Sequence, residues 1–265
     1  MDLLQSLILG AVQGITEFFP VSSTAHLVLI PWLFSWKDEG LPFNVALHVG
    51  SLAAILFYFR QDWVKIISEF ILGLFKGSFE DLPDGKLGLY LIIATVPGAL
   101  FGLVFEDAAA GLLRHPLSIA SSLALFGVLL YLADRFSKRT KSVRDMSLTD
   151  CIIVGLSQAL AIIPGVSRSG VTITGAMLLN YKRDEAARFS FLMAAPLIAG
   201  AGVFEARRLE ADVVMSAPFI AGVLASAVFA FLAIKYLLRF VRYRSYTAFV
   251  IYRLVIAAVI FALYL

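Results

Sequence analysis

Three clusters of side chains in this sequence are of types and spacings that do chemistry. In Gln13-Gly14-Ile15-Thr16-Glu17 a carboxamide and a carboxylate stand one helical turn apart, on one face of a helix. A carboxylate in an apolar setting needs a cation, a metal or a proton. Glu17 therefore reads as a divalent-metal ligand or a general base, or else as a charge paired with an arginine. Ser22-Ser23-Thr24-Ala25-His26 follows. A hydroxyl near an imidazole is the minimum for an activated nucleophile; an imidazole also attacks phosphorus or protonates a leaving group by itself, and a serine here equally suits the N-cap of a new helix. The third cluster, Pro164-Gly165-Val166-Ser167-Arg168-Ser169-Gly170-Val171-Thr172, sets one arginine among small and hydroxyl residues. Free backbone N–H groups at a helix start bind anions, and a guanidinium fork matches phosphate oxygens. This cluster fits a phosphate or diphosphate, or an arginine that only neutralises Glu17. His48 and Arg253 are further ionisable groups in apolar surroundings. His48 lines the same site or merely packs; Arg253 contacts a ligand or is a structural arginine whose head snorkels.

The elements that must position these residues belong in lipid. The 265 residues are 60% hydrophobic and 15% charged, with mean hydropathy +0.88, against about 45–50% and about 25% in soluble domains. A net charge of +3, with no basic run interleaved with aromatics, argues against nucleic acid as a partner. The single cysteine, Cys151, forms no intrachain disulfide and reads as a small buried hydrophobe. The opening Met1-Asp2-Leu3 has no basic stretch, so no cleaved signal peptide is expected. Six segments read as spans, about 43–59, 88–105, 117–134, 187–204, 214–238 and 247–265, each near the roughly 20 apolar residues a crossing needs. Regions 3–34 and 150–180 are apolar but broken at the two serine-bearing clusters, leaving halves too short to cross alone. Proline and glycine end helices and free backbone polar groups, which membranes tolerate only under protein or beside a watery cavity. The predicted fold is all-α and polytopic: six transmembrane helices plus two re-entrant helical hairpins, with a kinked single span as the alternative at each break. Pro97-Gly98 and Pro196 are expected to kink their spans.

The halves match each other. A shift of 145 residues superposes Gln13 on Gln158, Val21 on Val166, Ser22 on Ser167 and Leu52 on Leu197. One membrane domain, 1–265, is thus expected to consist of two repeats, 1–146 and 147–265. Each repeat holds a hairpin and three spans, so the second must be inverted, an architecture common in transporters. Sixteen basic residues fall on the side carrying segments 60–86, 135–146, 182–188 and 235–244, and 4 on the other. The positive-inside rule assigns the basic side to the cytoplasm and places both termini and the loops near 36–42, 106–116 and 205–213 outside.

Gly14-Ile15-Thr16-Glu17-Phe18-Phe19-Pro20-Val21-Ser22-Ser23-Thr24-Ala25-His26, followed by Pro164-Gly165-Val166-Ser167-Arg168-Ser169-Gly170 and Phe189-Ser190-Phe191-Leu192, closely resembles the bacitracin-resistance type of undecaprenyl-diphosphate phosphatase over essentially the whole chain. The resemblance implies a bacterial plasma-membrane hydrolase that converts undecaprenyl diphosphate to undecaprenyl phosphate, uses Mg²⁺ or Ca²⁺, forms a homodimer and confers resistance to bacitracin, which sequesters the same lipid. Its active site is expected to open to the outer face. It implies Glu17, Ser23, His26 and Arg168 as catalytic residues, with Glu17 also on the metal. Gln13, Ser22, Thr24, Ser167, Ser169, Gly170 and Thr172 would support the substrate, and His48 and Arg253 are secondary candidates. Gln13 departs from the glutamate frequent at the first position of the family's paired-acid motif, which shifts the load to Glu17. The competing reading is a transporter or flippase of polyprenyl phosphate lipids.

Overall fold

The computed structural model describes residues 2–37, 40–105 and 114–264. Helices follow one another as α1 (Leu3–Phe18), α2 (Ser23–Leu33), α3 (Gly40–Tyr58), α4 (Arg60–Lys76), α5 (Pro83–Val104), α6 (Pro116–Phe136), α7 (Leu148–Ala159), α8 (Arg168–Leu178), α9 (Arg183–Ala206), α10 (Ala217–Tyr243) and α11 (Thr247–Tyr264). Short turns at Val143–Asp145, Leu160–Ile162 and Ala211–Val214 lie between them. Among the described residues there is no strand, only an isolated bridge between Lys141 and Tyr181. Among the described residues six helices, α3, α5, α6, α9, α10 and α11, are long and apolar enough to cross a membrane; they are the six predicted spans, with ends moved by up to about five residues either way. Of the predicted outer loops, residues 38–39 and 106–113 lie outside the described set.

The two broken regions fold as helix–break–helix pairs, α1/α2 and α7/α8, on either side of Phe19–Ser22 and Ile163–Ser167. Each second helix is capped by the serine before it: Ser22 accepts from Ala25 N at 3.4 Å and Ser167 from Gly170 N at 3.1 Å. Both serines have positive φ, 73° and 72°, a conformation that costs a non-glycine residue of order 1–3 kcal/mol and recurs at functional sites.

Small residues let the pairs pack closely. α1 runs alongside α10, where a methyl at Gly10 would collide with the Gly222 carbonyl and one at Gly14 with that of Ser226. This small-xxx-small spacing draws backbones together in lipid, where no hydrophobic force separates helix from solvent. α7 runs alongside α5 in the same sense: Cys151 Sγ donates to the Tyr90 carbonyl at 3.0 Å, and Gly155 abuts Ala94. The Cys151 expectation thus holds. Phe18, Phe189 and Phe191 are buried together in the core, and Tyr181 and Tyr246, just outside helix ends, are buried in the same cluster.

Segment 60–86, read from its charges as a loop, contains α4 instead. Its Trp63, Ile66, Phe70 and Gly73 follow helical spacing, with Ile66 and Gly73 buried, and Glu69 caps the next helix by accepting from the Asp84 and Gly85 amides at 2.8 and 3.1 Å. Arg60, Asp62, Lys65, Glu69 and Lys76 keep it too polar to read as a span.

Candidate active site

The two breaks meet. Gly165 N donates to Ser22 Oγ at 3.2 Å, and Ser169 Oγ donates to the Phe19 carbonyl at 3.3 Å. Each tip thus satisfies a backbone group that the other leaves open, as buried irregular backbone must.

Glu17, 5% exposed at the end of α1, is the centre of the contact. Its Oε1 accepts from Arg168 Nη2 at 2.8 Å. Its Oε2 accepts from Ser23 Oγ at 2.8 Å and from Gln13 Nε2 at 3.0 Å, and lies 3.3 Å from His48 Nε2. Ser23 and Arg168 are the first residues of α2 and α8, 145 positions apart, the shift at which the sequence partly matches itself. The first residues of the two helices thus converge on one carboxylate, one as hydroxyl and one as guanidinium. Arg168 is aimed by a second bond, Nη1 to the Ser190 carbonyl of α9 at 2.8 Å, and Thr172 Oγ1 pairs with Ser190 Oγ at 2.7 Å. Ser190 is a site residue that the sequence marked only as part of a matching segment. His48 donates through Nδ1 to the Asn44 carbonyl at 2.7 Å, which turns Nε2 toward Glu17.

His26 is placed differently. Its Nδ1 lies 2.7 Å from the Ser22 carbonyl and its Nε2 2.7 Å from the Tyr252 hydroxyl of α11. A carbonyl only accepts, so Nδ1 carries the proton and Nε2 accepts from tyrosine. The partner of Ser23 is Glu17, and both His26 nitrogens are engaged elsewhere. Tyr252 was not singled out from sequence; nothing in an exposed tyrosine on an apolar helix distinguishes it. Arg253, the neighbouring residue, is 0% exposed and neither snorkels nor faces the Glu17 cluster: its bonds go to carbonyls at both tips.

A cavity of about 520 Å³ adjoins the cluster, bounded by Thr24, Asn44, His48 and Pro164 and walled by Leu27, Val45, Leu103 and Leu197. It is mostly apolar and extends to Arg114 and Glu205.

The oxygens that these residues offer a divalent cation are one carboxylate, Glu17, and one carboxamide oxygen. Gln13 Oε1 is buried with no hydrogen-bond partner and belongs to the side chain whose amide already holds Glu17. Among the described residues no three His, Cys, Asp or Glu side chains cluster to hold a metal alone. One carboxylate and a neutral oxygen, completed by substrate phosphates, is a Mg²⁺ style of binding.

Comparison with known proteins gives the family. A family model described as bacitracin resistance protein BacA matches residues 6–259. A protein of Moorella thermoacetica named undecaprenyl-diphosphatase is 50% identical over 264 residues, covering 100% of this chain and 98% of its own. Proteins of the same name from Pelotomaculum thermopropionicum and Desulforudis audaxviator are 45% and 44% identical, over 96% and 97% of this chain and 94% and 95% of theirs. The chain belongs to the bacitracin resistance protein BacA family.

Proposed function

We propose that this chain hydrolyses undecaprenyl diphosphate to undecaprenyl phosphate and orthophosphate inside the membrane. The observation that carries the reading is the Glu17 carboxylate, which holds the Ser23 hydroxyl on one oxygen and the Arg168 guanidinium on the other. That is a nucleophile with its base, and a phosphate-binding fork beside it. The name borne by relatives at up to 50% identity supports the same substrate.

In this reading the diphosphate sits at the two helix starts and the prenyl tail in the apolar cavity. Ser23 Oγ attacks the terminal phosphorus and passes its proton to Glu17 Oε2. The bond from that phosphorus to the bridging oxygen breaks, and the lipid monophosphate leaves with the electron pair. Water then adds to the phosphoserine, Ser23 Oγ departs with the proton from Glu17, and orthophosphate keeps the hydrogens of the water. Arg168 and the free amides of α8 neutralise charge that grows on the equatorial oxygens. Glu17 and Gln13 Oε1 would hold Mg²⁺ or Ca²⁺, which supplies Lewis-acid neutralisation of the diphosphate when bound.

The two halves are read as inverted repeats with α1/α2 and α7/α8 as re-entrant hairpins. The shared positive φ at Ser22 and Ser167 supports this, as do the matched packing of Gly10 and Gly155, again 145 apart, each against a carbonyl of another helix. The 16-to-4 distribution of basic residues turns the basic side to the cytoplasm; the cavity runs to Arg114 and Glu205, near the opposite side, and we read the site of this plasma-membrane enzyme as reached from there. The family resemblance adds a homodimer and competition with bacitracin for the lipid.

Phosphate release from a polyprenyl diphosphate by the purified protein with Mg²⁺ tests the reading. It is expected from the wild type and lost in folded Glu17→Ala and Arg168→Ala variants. A folded wild type that moves the lipid across vesicles and releases no phosphate would instead establish the transporter.

A further inference from the structure

We propose that Tyr252 and Arg253 of α11 are positioning residues that fix the separation of the two tips, with His26 as part of this tie rather than a proton carrier. The reasoning begins with the breaks. Ending a helix leaves carbonyls without partners, and here two helices end against each other in an apolar bundle. Arg253 Nη1 donates to the Pro20 carbonyl at 3.2 Å, and Nη2 to the Gly165 and Val166 carbonyls at 2.9 and 3.1 Å. Pro20 and Gly165 are 145 apart, so one guanidinium binds equivalent carbonyls of both tips. Nε anchors the same side chain to α6 through the Leu123 carbonyl at 3.0 Å. The guanidinium is wholly buried and, among the described residues, meets no carboxylate. A buried cation is costly unless its donors are all engaged, so the site is retained for what it holds together.

The adjacent residue secures tip one from the same helix. The Tyr252 hydroxyl donates to His26 Nε2 at 2.7 Å, the rings stack at 5.7 Å, and His26 Nδ1 donates to the Ser22 carbonyl at 2.7 Å. Ser22 is the residue with the strained φ that caps α2. Tyr252 and Arg253 thus hold the backbone just before Ser23 on one tip and two to three residues before Arg168 on the other.

The importance of this tie for rate rests on the hydrolytic reading; the tie itself does not. Hydrogen–deuterium exchange of the full chain in detergent, with kinetics of the same variants, tests both. In Arg253→Met, amides of 19–26 and 163–170 are expected to exchange faster together while α5 and α10 are unchanged, with kcat lower by about 10²-fold, as misplacement by an ångström costs, and KM within a few-fold. Arg253→Lys, which still reaches one carbonyl, is expected to fall between. Tyr252→Phe is expected to loosen 19–26 alone. Unchanged exchange at either tip in Arg253→Met or Arg253→Lys overturns the clamp, and unchanged exchange in Tyr252→Phe overturns the role of His26 in it. Faster exchange throughout the bundle in Arg253→Lys would also overturn it, since Arg253 would then hold the fold and not the tips. Altered exchange with no phosphate release from the wild type would leave the tie standing and remove the hydrolase.

Discussion

At the scale of single residues, the site is a contest for one carboxylate. Glu17 accepts from Ser23, Arg168 and Gln13 and touches His48, so its value lies in being both anionic and basic. Glu17→Gln keeps the shape but not the basicity, and kcat for phosphate release is expected to fall about 10²–10⁴-fold, the usual worth of a general base. Arg168→Lys offers a point charge where a fork spans Glu17 and the Ser190 carbonyl. The same assay should show a loss of roughly 10²-fold, comparable with removing one transition-state donor. That Glu17, a run of hydroxyls at Ser22–Thr24 and Arg168 would be of interest was legible in sequence, because such groups stand out in an apolar chain; Ser23 was singled out only by the family resemblance. The pairing was not. Ser23 and His26 looked like partners by proximity, yet the ring orientation is decided by Tyr252, 226 residues away, and no local pattern encodes such a contact.

At the scale of elements, the breaks and spans followed from proline, glycine and hydropathy, and the structure moved their ends by only a few residues. Helix α4 was hidden because its five charges lower hydropathy although its apolar residues keep helical spacing. The close seams are set by glycines whose role appears only once the partner helix is known. At Gly14 a side chain would strike the Ser226 carbonyl and the Ala230 amide, so Gly14→Val is expected to lower stability by about 1–3 kcal/mol, the cost of overpacking, seen as a reduced unfolding midpoint in detergent. Gly102, which has open space around it, serves as the control: Gly102→Ala should leave the midpoint unchanged or slightly raised.

At the scale of the molecule, orientation follows from charge. Cysteines placed at Ser78 and Glu210, both exposed, test it: in intact cells an impermeant maleimide should label Glu210→Cys and spare Ser78→Cys, and the reverse pattern would turn the molecule over. The buried Cys151 should stay silent in the same experiment. The repeat of 145 residues, thin in sequence, acquires physical meaning where Ser23 and Arg168 share Glu17 and where Pro20 and Gly165 share Arg253.

In the proposed mechanism Ser23, activated by Glu17, performs the chemistry at the meeting of the two tips. The most direct measurement is the rate of orthophosphate release by a folded Ser23→Ala variant at saturating polyprenyl diphosphate and Mg²⁺. The account predicts a fall of at least about 10³-fold, as for loss of an activated nucleophile, with His26→Ala retaining more activity than Ser23→Ala. A Ser23→Ala rate within about tenfold of the wild type would contradict it.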